Sequence, residues 1–75
     1  MNMNKFLVVI EKAGKNFSAY CPDLPGCVAT GITRLQAQKN IYEAIDFHLQ
    51  GLKEDRSPIP HGQSSAEYVT FLKVA

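Results

Sequence analysis

Tryptophan is absent from the 75 residues, and cysteine and histidine occur only twice each. So few thiols and imidazoles give a zinc site little material, since zinc calls for about four converging ligands. Cys21 and Cys27 flank the run Pro22-Asp23-Leu24-Pro25-Gly26, and neither His48 nor His61 stands at a metal-type spacing from them. Small apolar thiols are commonly interior in reducing compartments, so we read both as buried and reduced and expect no metal or cofactor. Long apolar runs are also missing. The longest, Phe6 to Ile10, has five residues, far short of the roughly 20 that span a bilayer and of a signal-peptide core. A soluble, cytoplasmic protein is expected. Nor is there an excess of one charge: eight Lys+Arg against seven Asp+Glu give +1, which makes no electrostatic case for nucleic acid as the main ligand.

What is present is an ordinary globular composition, 45% hydrophobic and 20% charged, in a chain long enough for one domain, residues 1–75, and too short for two. Lys5 to Glu11 is rich in β-branched residues and ends at the turn signal Ala13-Gly14-Lys15-Asn16, so it reads as strand one. Asn16 to Cys21 continues the hairpin, the Pro22 to Gly26 run forces a rigid excursion, and Cys27 to Thr30 is strand three. Thr33 with Gln36 fits a capping box, with Ile32 where a hydrophobic staple would sit. A helix from Arg34 to about Lys53 places Ala37, Ile41, Ala44, Ile45, Leu49 and Leu52 in one sector. The Asp55 to Pro60 segment ends it, and Glu67 to Val74 reads as strand four.

The expected fold is therefore α+β in the order β-β-β-α-β. A helical crossover after three hairpin-linked strands predicts sheet order 3-2-1-4, with strand four parallel to strand one and the helix on one face. Strand one then points Phe6, Val8 and Ile10 to one side and Leu7 and Val9 to the other, while Tyr68 and Leu72 oppose Val69 and Phe71 on strand four. One helix covers one face only. A homo-oligomer, dimer or tetramer, with Leu7, Val9, Tyr68 and Leu72 at its interface, is the expected way to cover the other.

Pro22-Asp23-Leu24-Pro25-Gly26-Cys27, followed by Gly31, Thr33, Ala37 and the stretch from Glu43 to Pro60, resembles the HicB antitoxin family across nearly the whole chain. The resemblance implies a partial ribonuclease-H-like fold that performs no chemistry and binds a HicA-like, RNA-cleaving toxin. Family members often carry an additional DNA-binding segment at the carboxyl terminus. This chain stops at Ala75, so direct DNA binding is not expected. Ile32 and Gln36 stand where the family often has acids, which weakens the acidic helix start and the steering of a basic partner. A stand-alone scaffold or adaptor of the same fold, with no toxin, is the alternative.

The candidate partner contacts are Asp23, Leu24 and Pro25 in the stiff loop, and Phe47, which lies about 120° from the helix stripe. The loop has a second reading in which Asp23 caps local amides. Phe47 is either an interface anchor or lies beneath the Ser57–Pro60 loop. For catalysis, Glu11 and Glu43 are the carboxylates a ribonuclease-H-like sheet would nominate, but strand four has no acid after Glu67 and Glu43 is on the polar helix side. Cys21, Asp23, His48 and His61 show no spacing that assembles a nucleophile and base. No catalytic residue is expected.

Overall fold

The computed structural model describes residues 4–73. Three antiparallel strands, β1 (Val9–Ala13), β2 (Asn16–Tyr20) and β3 (Val28–Gly31), form a sheet in the order β1-β2-β3, followed by helix α1 (Arg34–Glu54). The β1–β2 turn works because Gly14 takes φ 62° at the first central position of a two-residue hairpin, where a II′ turn places glycine.

β1 starts later than expected, and the reason lies in its neighbour. Val9 pairs with Tyr20, the last residue of β2. Beyond it Pro22 has no amide to donate, so the β2 ladder cannot continue and Lys5 to Val8 run past its end. The expected fourth strand is not formed among the described residues: Glu67 to Lys73 carries no strand hydrogen bonding, and Val74 lies outside them. Sheet position four and its parallel pairing with β1 are therefore not observed.

The helix begins as the sequence indicates. Thr33 Oγ1 accepts from the Gln36 amide at 3.1 Å with Thr33 in an extended conformation, an N-cap worth about 1 kcal/mol. Ile32 is exposed and forms no staple, because the residue it would meet, Ala37, is drawn fully under the sheet. At the other end the Ser57 amide donates to the Leu52 carbonyl (2.9 Å) and the Arg56 amide to that of Lys53 (3.1 Å). This is a Schellman closure with Arg56 at φ 56°, a conformation usually left to glycine.

Small residues set how closely the helix lies on the sheet. Ile10, Ala19 and Ala29 form one cross-strand row on the core face, and Phe17 and Gly31 pair in the next. A Cβ on Gly31 would collide with the Ala37 amide and stand 2.8 Å from the Gln36 carbonyl carbon. The helix therefore packs chiefly on β3 and β2, and Asn40 Nδ2 donates to the Thr30 carbonyl at 2.7 Å. Ala19, Cys21, Leu24, Cys27, Ala37 and Ile41 make the core, with Phe6, Val8 and Ile10 packed against it, as the alternation expected from Phe6 to Ile10 requires.

Candidate interaction surfaces

The proline loop is built from its backbone inward. The Leu24 amide donates to the Cys21 carbonyl (3.1 Å), the Cys27 amide to that of Leu24 (3.0 Å), and the Cys21 amide to that of Cys27 (3.1 Å). These bonds fold the loop back over the end of the sheet and drive Leu24 into the core at 0% exposure. The expectation that Leu24 reaches a partner is corrected: its side chain fills the protein's own interior. Pro25 remains on the surface.

Asp23 also has a different employment from the one expected. Its Oδ2 accepts from the amides of Gln63 (3.1 Å) and Ser64 (3.2 Å), and its Oδ1 from Ser64 Oγ (3.0 Å). It does hydrogen-bond amides, but those of a segment 40 residues along the chain rather than of its own turn. No pattern in the sequence pairs these positions. The nearest signal was an Asp between two prolines, a residue type that commonly accepts backbone bonds.

Cys21 and Cys27 are free and buried in the core. Burial pushes the Cys27 thiol above its ordinary value of 9.0, and the neighbouring Cys21 adds to the shift. His48 is half-buried on the helix and His61 exposed. Glu11 and Glu43 are exposed, and among the described residues no three His, Cys, Asp or Glu side chains converge on a metal-sized site.

Phe47 stands 80% exposed, so the Ser57–Pro60 loop does not cover it. The sheet face away from the helix is apolar only at one end. Val9, Tyr20 and Val28 form a cross-strand row there, and Glu11, Ser18 and Thr30 form the next. Leu7 and Val9 are half-buried, whereas Tyr68 and Leu72 are 104% and 92% exposed. Leu7 to Ile10, Arg34 and Ala66 to Tyr68 line a cleft of about 350 Å³, so three of the four residues expected at an oligomer interface, Leu7, Val9 and Tyr68, meet at one cleft and Leu72 lies outside it.

The model of the HicB-like antitoxins of bacterial toxin–antitoxin systems matches residues 6–72. The chain belongs to this family. The HicB-like chain is 36% identical over 62 residues to an uncharacterized 14.9 kDa protein of Haemophilus phage HP1, covering 83% of this chain but 47% of the phage protein, about half its length. It is also 36% identical over 67 residues to a UPF0150 protein of Thermoplasma acidophilum, 88% of this chain and 94% of that one. With a UPF0150 protein of Synechocystis it shares 36% over 56 residues, 73% and 71% of the two chains. No solved structure gives a significant match. The first turn of the HicB-like helix carries no acid. Among the described residues no helix is long and apolar enough to cross a membrane.

Proposed function

We propose that this chain is the antitoxin of a HicA/HicB-type pair, a non-catalytic, single-domain cytoplasmic protein that binds and occludes a HicA-like, RNA-cleaving toxin. The family match over residues 6–72 carries the reading. The surfaces that support it are Pro25, held outward on a loop whose interior is filled by Leu24, and Phe47, a large ring left in solvent on a rigid helix. A pre-formed loop and an exposed aromatic bind at low entropic cost. With no acid in the first helical turn and a formal charge of +1, shape and apolar contact dominate over electrostatic steering.

The test is to search the neighbouring genes for a HicA-like protein and to co-express the chain with it. Co-purification and loss of RNA cleavage on mixing are expected. A toxin that neither binds nor loses activity overturns the proposal.

A second reading, a homo-oligomeric scaffold with no toxin, draws on the apolar Val9–Tyr20–Val28 row and on the exposed apolar residues after Glu67, which a second copy alone would suffice to cover. Self-association as a dimer or tetramer belongs to both readings. An isolated gene with no small toxin-like reading frame nearby favours the scaffold.

A further inference from the structure

The segment after Pro60 leaves β1 in the manner of a fork. At its root Gly62 sits so close to Lys5 that a Cβ would strike the Lys5 carbonyl oxygen. Ser64 and Gly62 then flank a cleft of about 300 Å³ against Lys5 to Leu7, and Ala66 to Tyr68 flank the larger cleft against Leu7 to Ile10. The two stretches thus run in the same direction, as a parallel fourth strand would, but without a ladder between them. Tyr68, at the rim of the cleft, and Phe71 and Leu72 past it are almost wholly in solvent. The Cα radius of gyration, 15.0 Å, exceeds the roughly 11 Å of a compact domain of this length.

Asp23 explains why the fork stays open. In a strand successive amides point to opposite sides, yet the amides of Gln63 and Ser64 both donate to Asp23 Oδ2. The backbone there is not strand-like, and those donors are unavailable to the carbonyls of Lys5 to Leu7. A parallel strand therefore cannot start from its anchored end, while residues 66–73, beyond the clamp, keep every backbone group free for another edge.

We infer that this arm is exchanged between two copies of the chain, each laying residues 66–73 along the β1 edge of the other in the sense that its own arm approaches it. This deepens the self-association part of the proposed function and rests on it. A second copy is the occupant because arm and edge belong to one sequence: Tyr68-Val69-Thr70-Phe71-Leu72 is the β-prone apolar stretch without a partner, and Leu7 to Ile10 the β-prone stretch with a free side. Reciprocal exchange closes a two-fold pair and covers the β1 edge of both copies. Along a strand Val69 and Phe71 face one side and Tyr68 and Leu72 the other, so one set meets the covered face of the partner's sheet. Burying the Phe71 rings of both arms removes about 300–500 Å², and Val69 and the covered edges add to it toward the roughly 1,200 Å² at which stable interfaces begin.

Three measurements on the full chain test the exchange. Light scattering reads the state of the unmodified protein at micromolar concentration. A mixture of one copy carrying Val9→Cys with another carrying Tyr68→Cys is oxidised and examined for a covalent mixed pair. The native thiols, 3% and 5% exposed, do not compete, and unmodified protein is the control. Phe71→Asp, at a position outside the core, should keep the circular dichroism spectrum and weaken pairing about a hundred-fold or more. A dimer that yields the mixed link and is dispersed by Phe71→Asp is the expected result. A dimer that gives no mixed link and ignores Phe71→Asp overturns the exchange but leaves self-association standing, through the Val9–Tyr20–Val28 row. A monomer overturns both, and the toxin pull-down still reads the antitoxin proposal by itself.

Discussion

Leu24 and Leu72 are the same residue in two parts of the molecule with opposite fates: the first is fully buried at the tip of a proline loop, the second 92% exposed on the arm. Local hydrophobicity does not separate them, since the arm is the more apolar of the two neighbourhoods. Closure separates them. Around Leu24 three backbone bonds return the chain to the sheet within seven residues, Cys21 to Cys27. Around Leu72 the chain must find a partner across the molecule, and the clamp at its root denies it the adjacent one. The packed half is organised by short-range bonds and the arm by a long-range bond that holds it away.

Truncating each leucine is the strongest attack on that comparison. Leu24→Ala should cost about 3 kcal/mol or more through lost burial and the cavity left behind. That is a large share of the stability of a domain this small. Leu72→Ala should change the monomer's stability by less than about 0.5 kcal/mol. Urea unfolding followed by circular dichroism, at concentrations where the chain is monomeric, compares them. Equal losses would show that the arm is packed in solution and that the contrast is wrong.

The packed half was legible in the sequence because its signals are local and periodic. Alternation in Phe6 to Ile10 separates the core face from the outer one, the stripe from Ala37 to Leu49 draws the helix face, and Thr33 marks its start. Two features were not legible. The proline loop looked like surface because Pro, Asp and Gly dominate it, yet the turn those residues impose aims the one large apolar side chain among them inward. Glu67 to Val74 has strand chemistry, but β propensity records fitness for a half-buried pleated surface and does not say whether a neighbour's amides are free to pair. What decides that is an Asp23–Ser64 contact spanning 41 residues, with no sequence signature.

Asp23→Asn cuts the bond between the two regions while keeping shape. One carbonyl oxygen cannot replace two charged ones that accept three hydrogen bonds, and charge-assisted bonds are the stronger kind. With donors that are exposed, a loss of about 1 kcal/mol is expected, together with faster hydrogen exchange at the Gln63 and Ser64 amides. Unchanged exchange at those amides would mean that the clamp does not hold the root of the arm. If the amides become free to pair with Lys5 to Leu7, protection should appear along residues 66–73 in the monomer, which converts the fork into the four-stranded sheet.

The smallest expected effect lies at the border between the regions, where α1 ends and the chain turns toward the arm. Arg56 holds φ 56° to let the Ser57 and Arg56 amides reach the Leu52 and Lys53 carbonyls. A side chain in this conformation costs about 1 kcal/mol that glycine avoids. Arg56 is exposed, and no hydrogen bond from its side chain offsets that cost among the described residues. Arg56→Gly should therefore stabilise the domain by somewhat less than that, because glycine also gives the unfolded chain more freedom. Thermal melting should show a rise of a few degrees, given roughly 4–8 °C per kcal/mol for a domain of this size. The rise should leave the exchange rates at Gln63 and Ser64 unchanged, since the helix end closes on its own carbonyls and the arm is held at Asp23. A change in both together would show that the helix terminus and the clamp act as one unit, and that the border between packed half and arm lies further back in the chain than Pro60.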